Sequence, residues 1–198
     1  NDLKCLDKKN IKKLISKLQL IAIQPFVLLA CLNFILRKFF FGPQNAMNYL
    51  KFVDSPCLIF ILRLFGASIG KNCNIQPGII FHNCVNFKNL SIGDNCHIGK
   101  NCFFDLRDYI SIKDNVVISM HCKFITHIDM SNSVLNSKFR PKCAPISIGD
   151  DSYLGAGCIV LMGVILGARV IVGSSSLVKD SFTDDNIVAG IPCKIINI

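Results

Sequence analysis

Aliphatic residues recur at every sixth position along the second half of this chain. They are Ile148, Leu154, Val160, Leu166, Val172 and Val178. Four positions later in the hexad stands a small or β-branched residue, as at Ser152, Cys158, Val164, Val170 and Ser176. A period of six fits neither a helix nor simple strand alternation, so a larger unit must close it. The pattern predicts an all-β solenoid, a parallel β-helix in which three hexads form one triangular coil and coils stack about 4.8 Å apart.

The same repeat begins at Ile69, and its register changes twice, before Ile92 and at Ile112. Corner positions of the earlier hexads carry Asn72, Asn95, Asn101 and Asn115. Asparagine tolerates the left-handed backbone that such a corner needs. After His127 the pattern stops until Ile146, which predicts a loop excursion over residues 128–145 of a length that is often functional. The chain is therefore divided into three regions. These are a helical N-terminal segment over 1–66, the β-helix over 67–183 and a short C-terminal tail over 184–198.

The N-terminal segment is apolar and basic. Residues 8–23 place aliphatic side chains at helical spacing with lysines opposite, which predicts an amphipathic helix. From Leu20 to Leu36 the chain is almost wholly apolar, but Pro25 and Asn33 break it, and the stretch is short of the roughly 20 residues that span a bilayer. Two interpretations stay open. One is a helical cap on the coil or on a neighbouring subunit, and the other is peripheral membrane contact through residues 8–41.

Composition narrows the partners and the compartment. Hydrophobic residues make up 51% of the chain and the net charge is +9, with lysines and arginines dense in residues 1–38. That charge suits an acidic membrane surface or a phosphorylated ligand. Nucleic acid is not favoured, because basic and aromatic residues do not alternate on any one element. The 11 cysteines form no CxxC pair, and five of them occupy small inward positions of the hexads, namely Cys73, Cys96, Cys102, Cys122 and Cys158, which predicts structural thiols in a reducing cytoplasm.

The hexads, the Thr126–His127 pair and the C-terminal run VKDSFTDDNIVAGIPCKI together resemble the hexapeptide-repeat acyltransferases, over about residues 66–198. That family includes maltose, galactoside and polysaccharide O-acetyltransferases. The resemblance implies a left-handed β-helix, although the usual crossover is right-handed. It also implies acetyl-CoA as acyl donor, a hydroxylated acceptor such as a sugar, and a homotrimer whose active site lies between two subunits.

His127 is the candidate general base. Acyl transfer to a hydroxyl needs a group that takes the hydroxyl proton, and histidine suits this at neutral pH. His127 opens the loop excursion and matches the family's Thr-His pair, whose histidine is the base. His121 is interpreted as a surface or interface residue, and His82 and His97 have no supporting context. Asp105 is the second catalytic candidate, expected by resemblance to hold the acceptor hydroxyl; a corner aspartate making a local turn bond is the alternative.

Further site residues follow from the resemblance. Ala156 and Ser174 mark backbone contacts to coenzyme A. Lys179 and Lys194 stand where the family places cations near the nucleotide, whereas Asn197 replaces a further basic position. Tyr153 stands where relatives often have tryptophan and, with Arg140 of the loop, is a candidate acceptor contact. No metal site is expected.

Other functions remain open at this point. A serine or amino-sugar N-acetyltransferase has the same fold. A zinc lyase of the γ-carbonic anhydrase type needs three histidines that converge between subunits, and the spacing of His82, His121 and His127 departs from that pattern. A non-catalytic β-helix is the remaining alternative. The favoured location is the cytoplasm, with peripheral attachment to the inner face of the membrane as a variant.

Overall fold

A computed structural model describes residues 24–196, so the helix predicted over 8–23 and the position of Asn197 lie outside the described residues. The described chain begins with three helices. They are α1 (Gln24–Phe41), α2 (Pro43–Tyr49) and α3 (Ser55–Leu64). A 3-10 turn over Leu50–Phe52 joins α2 to α3. Pro25 is the second described residue of α1, and Asn33 lies inside this helix. The Asn33 side chain accepts a hydrogen bond from Arg37 Nε (2.7 Å), one turn further along.

The strands that follow form three parallel sheets, which are the faces of a triangular prism. The first face contains β1 (Ser68–Ile69), β4 (Leu90–Ile92), β7 (Ile110–Ile112), β12 (Ile146–Ile148) and β15 (Ile165–Leu166). The second contains β2 (Asn74–Ile75), β5 (His97–Ile98), β8 (Val117–Ile118), β13 (Tyr153–Leu154), β16 (Ile171–Val172) and β18 (Ile187–Gly190). The third contains β3 (Ile80–His82), β6 (Phe103–Asp105), β9 (Lys123–Ile125), β14 (Ile159–Leu161) and β17 (Leu177–Val178). Each coil thus contributes one strand to each face.

The hexad positions fill the interior of the prism. All six aliphatic residues from Ile148 to Val178 and the five small residues between them are buried, each at most 1% exposed. Equivalent residues stack in register from coil to coil, as Val160 does between Phe124 and Val178. In the third face the rings of Phe104 and Phe124 stack with centroids 4.9 Å apart. The cysteines at the small positions of four hexads are buried too, namely Cys96, Cys102, Cys122 and Cys158.

The corners use the predicted left-handed backbone. Positive φ angles between 55° and 58° occur at Asn72, Asn95, Asn101 and Asn115. Their side chains also join neighbouring coils, because Asn95 Nδ2 donates to Asn115 Oδ1 (3.1 Å) and Asn115 Nδ2 donates to Asp151 Oδ1 (2.9 Å). The corner asparagines therefore adopt the left-handed backbone that the corner needs, and their side chains link neighbouring coils by hydrogen bonds.

Two irregular segments complete the fold. The loop excursion begins and ends in an antiparallel ribbon of β10 (His127–Ile128) and β11 (Lys142–Cys143), with a 3-10 turn over Val134–Ser137 between them. At the C-terminus β18 adds to the second face, and β19 (Cys193–Ile195) pairs with it antiparallel.

The helices cover the N-terminal end of the prism. α3 contacts β1 and β2, and α2 contacts β3. α1 packs through a stripe of Val27, Cys31 and Phe34, of which Phe34 contacts the rings of Phe65 and Phe87 at centroid distances of 4.8 and 6.4 Å. The first coil is thereby closed by helices, and the prism grows away from them.

Candidate active site

His127 lies at the corner where the third face leads into the first, which we call the third corner. Strand β9 ends at Ile125, Thr126 turns the chain, and His127 begins the ribbon that carries the loop away. Its side chain is 19% exposed. Asp105 ends β6, one coil earlier, because Phe104 pairs with Phe124 across the two strands. The stacking of coils thus brings together two residues that are 22 positions apart.

The Asp105 carboxylate is buried under His127. Its Oδ2 atom accepts hydrogen bonds from His127 Nδ1 (2.5 Å) and from the backbone N–H of Thr126 (2.9 Å). Its Oδ1 atom accepts one from Asn83 Nδ2 (2.9 Å). The residue is only 1% exposed. Both oxygens are therefore occupied by protein donors, and Asp105 is held in a single orientation.

The environment keeps Asp105 ionised. Burial by itself raises the pKa of this carboxyl, but the hydrogen bonds from His127, Asn83 and Thr126 outweigh burial and lower the pKa below its ordinary value. An ionised carboxylate can only accept, so Nδ1 of His127 must carry the proton. That tautomer leaves Nε2 as the basic nitrogen of the partly exposed ring. The pair has the arrangement of a general base with its orienting carboxylate.

This geometry corrects the expectation that Asp105 holds the acceptor hydroxyl. A buried carboxylate with both oxygens engaged faces no cleft that an acceptor can enter. Its contact is with His127 instead. Asn83 was missed by sequence reasoning, although a signal existed, since Asn83, Asp105 and His127 are spaced by 22 residues each time. That spacing is one coil at this corner.

The loop provides a groove beside the ribbon that begins with His127. The groove encloses about 330 Å³ and is lined by apolar residues of the ribbon, loop and coil together with three cations. The lining residues are Ile128, Lys138, Phe139, Arg140, Lys142 and Met162. Arg140 thus lines a groove with the ribbon that begins at His127, and it is exposed on a surface of positive charge.

The other candidate residues are distributed over the prism. Tyr153 is on β13 of the second face, which is opposite the third corner, and it is 43% exposed. Ala156 and Ser174 lie on consecutive coils at the corner between the second and third faces, where the Ala156 carbonyl accepts from Ser175 N (2.8 Å). Within one chain, therefore, none of these three residues adjoins His127.

The two candidate lysines have different surroundings. Lys179 directly follows β17 at the third corner, two coils beyond β9, and its Nζ lies 2.9 Å from Asp180 Oδ2. Lys194 is exposed on β19. Lys179 thus shares a corner with His127 and Lys194 does not. In the part of the chain that the structure describes, no three histidine, cysteine or acidic residues are grouped to hold a metal ion.

Comparison with known proteins supports the same fold and chemistry. The family model described as "Hexapeptide repeat of succinyl-transferase" matches residues 89–120 and 145–175. The chain is 31% identical over 137 residues to the putative colanic acid biosynthesis acetyltransferase WcaF of Escherichia coli K12, covering 69% of this chain and 72% of the relative. It is 28% identical over 136 residues to the galactoside O-acetyltransferase of the same strain, covering 66% of this chain and only 63% of that protein. It is 30% identical over 155 residues to an E. coli dTDP-4-amino-4,6-dideoxy-D-glucose acyltransferase, covering 66% of this chain and 81% of that protein.

Solved structures give the same result. A hexapeptide-repeat acetyltransferase from Vibrio cholerae superposes with a TM-score of 0.68 at 27% identity, covering 79% of this chain and 90% of that one. The same enzyme in complex with acetyl coenzyme A gives a TM-score of 0.66 at 26% identity, covering 79% of this chain and 86% of that one. These matches confirm the predicted left-handed parallel β-helix.

Proposed function

Because the chain belongs to the hexapeptide-repeat acetyltransferases, we propose that it transfers an acetyl group from acetyl-CoA to a hydroxyl of a sugar or glycan precursor, with His127 as general base. One observation carries the proposal. The hydrogen bond between His127 Nδ1 and the buried Asp105 carboxylate fixes the tautomer that a base needs. The relatives' names, which include a galactoside O-acetyltransferase and a colanic acid biosynthesis acetyltransferase, support the acceptor class.

The geometry suggests how each group acts. Nε2 of His127 takes the proton of the acceptor hydroxyl as its oxygen attacks the thioester carbonyl carbon. The tetrahedral intermediate then collapses, the C–S bond breaks, and the proton on Nε2 passes to the leaving CoA sulfur. Between these steps the imidazole is positively charged. The ionised Asp105 beside Nδ1 stabilises that charge and keeps the ring in place.

A complete site needs a second chain under this proposal. Tyr153, Ala156 and Ser174 lie away from the third corner of their own chain, so they can join His127 only from a neighbour. A homotrimer in which His127 of one subunit faces the later coils of the next satisfies this requirement. Light scattering of the purified protein measures the assembly directly, and a monomer that is fully active would contradict it.

Transfer to an amine is the second candidate. One relative at 30% identity is named as an acyltransferase of an amino sugar nucleotide. The His127–Asp105 pair serves either acceptor, because an ammonium group must also lose a proton before it attacks. Supplying matched sugars that differ only in a hydroxyl or an amine at one carbon separates the two reactions by mass of the product.

The direct test is replacement of the base. Purified protein is mixed with acetyl-CoA and a panel of sugars, sugar nucleotides and serine, and the release of coenzyme A is measured. With any acceptor that reacts, His127→Ala is expected to lower kcat by about 10²- to 10⁴-fold while the oligomer stays intact. His121→Ala is the matched control, since His121 is an exposed corner residue one hexad earlier. Unchanged turnover in His127→Ala would remove the proposed base.

A further inference from the structure

The outer side of helix α1 is an unbroken apolar surface. Counting about 100° per residue, seven large apolar side chains fall within an arc of about 140°. They are Leu28, Leu29, Leu32, Ile35, Leu36, Phe39 and Phe40, and each is more than 40% exposed. By the same count no charged or amide side chain falls inside this arc, which we call the outer arc. A contiguous apolar patch on a folded chain usually marks an interaction surface.

Three polar residues of α1, Asn33, Arg37 and Lys38, are turned toward the protein. Arg37 donates to Asn33 and, through Nη1, to Asn45 Oδ1 (3.1 Å). Lys38 donates to the carbonyl of Val85 (2.8 Å), and its Nζ lies 4.8 Å from the centre of the Phe65 ring. Both cations are thus held off the outer arc. A helix that is apolar on its exposed side as well as its packed side requires another apolar medium.

We propose that this medium is a lipid bilayer and that α1 lies flat in its interface, with the outer arc among the acyl chains. Charge favours lipid over a second copy of the chain. The 23 residues before α1 contain six lysines and two aspartates, a net charge of +4. Anionic headgroups attract such a segment. A second copy would bring an identical positive segment and be repelled.

The packing of α1 indicates an in-plane helix. By length and composition alone, the 18 residues Gln24–Phe41 are enough to cross a membrane. The packing argues against that orientation, because the stripe of Val27, Cys31 and Phe34 is buried against the helical cap and the first coil. A transmembrane orientation would pull this stripe away from the coil. An interfacial helix keeps both contacts, because only one side of it enters the acyl boundary.

The free thiols indicate which face of the membrane is involved. All ten cysteines among the described residues are unpaired, including the exposed Cys143. Such thiols persist on the reducing, cytoplasmic side. The attachment therefore belongs to the inner leaflet, which is also where basic segments meet anionic lipid.

Vesicle flotation of the full-length protein tests the proposal without any assay of acetyl transfer. The vesicles contain phosphatidylcholine, with or without phosphatidylglycerol. Leu32→Gln with Phe39→Gln changes two residues of the outer arc that are 52% and 81% exposed, so neither is needed for folding. Val134→Gln with Leu135→Gln is the matched control, on the loop and equally exposed to solvent on average. The outer-arc pair is expected to lower vesicle binding about tenfold or more, and the control pair to leave it unchanged.

Each remaining outcome decides the matter. Binding that is stronger with phosphatidylglycerol and falls in high salt supports the inner-leaflet attachment. Equal flotation of the outer-arc pair and wild type overturns the proposal. A lower oligomer mass for the outer-arc pair than for wild type, measured by light scattering without lipid, also overturns the proposal. That result would mean that a second copy of the chain covers the outer arc. Protein that resists extraction from the vesicles at alkaline pH would show a spanning helix and overturn the in-plane orientation.

Discussion

Replacing Asp105 by asparagine tests the role of the buried carboxylate in the His127 pair. The substitution keeps the size of the side chain and removes its charge. Oδ2 currently accepts from His127 Nδ1 and from Thr126 N. A hydrogen bond to a charged group contributes about 1.5–3 kcal/mol and a neutral one about 0.5–1.5 kcal/mol. Two bonds that lose their charge assistance therefore cost about 2–3 kcal/mol.

The share of that cost at the His127 bond, about 1–1.5 kcal/mol, is expected to fall on the transition state, because in the proposed mechanism the imidazole gains a positive charge as it takes the acceptor's proton. At 1.36 kcal/mol for each factor of ten, kcat should fall about 5- to 13-fold. The KM values should change little, since Asp105 is 1% exposed and reaches no substrate. The thermal midpoint should also fall by about 4–12 °C, so activity is measured well below it.

The assay is steady-state release of coenzyme A with an acceptor identified by the panel. Asp150→Asn is the control, because the Asp150 carboxylate likewise accepts a backbone N–H, from Asp114 (2.8 Å), but at an exposed corner between the first and second faces. That variant should keep the wild-type kcat. A kcat within threefold of wild type for Asp105→Asn, or a loss seen only in KM, would refute the orienting role.

Three further results are expected. The lowered pKa of Asp105 means that its carboxylate stabilises the fold above the unfolded pKa of about 3.9, and that this contribution is lost as the pH falls through the folded value. The difference in urea midpoint between wild type and Asp105→Asn should therefore narrow as the pH falls from about 6 to about 3. A difference that stays constant over this range would contradict the prediction. Asn115→Ala should lower the free energy of unfolding by about 1–2 kcal/mol, and Asn115→Gly should lower it by less, because φ at this residue is 58° and glycine tolerates that backbone. Equal urea midpoints for the two variants would count against this explanation. Arg140→Gln should raise the KM for an anionic acceptor about two- to fivefold and leave kcat unchanged, because it removes one positive charge from the groove. An unaltered KM for every acceptor would show that Arg140 does not belong to the site.

The sequence predicted the repetitive part of the molecule because that part obeys a local rule. The period of six identifies which residues point inward, and Val160 lies where the pattern requires. Asparagine reveals a corner by its own tolerance of positive φ. Other corners were not recognised, since Arg169 and Ser175 adopt the same backbone although neither residue type favours it.

The site was only partly predictable, because its geometry depends on what covers each residue. Sequence spacing placed Asp105 one coil before His127, and the structure confirms their proximity. The spacing could not show that the His127 ring lies over the Asp105 carboxylate. That contact changes the expected role of Asp105 from binding the acceptor to orienting His127. Tyr153 illustrates a second limit, since the position of a residue on one face of the prism does not say which neighbouring chain it meets.

The closed first coil makes the β-helix a spacer whose length comes in fixed steps. Two strands of the third face, β3 and β6, precede β9, so His127 at the third corner stands about two rises, or roughly 10 Å, beyond the helices that close the prism. If those helices rest on lipid, the reacting hydroxyl is selected by its height above the headgroups as well as by its chemistry. Adding or removing one coil would move that height by about 4.8 Å and shift acetylation to a different sugar unit of a tethered glycan.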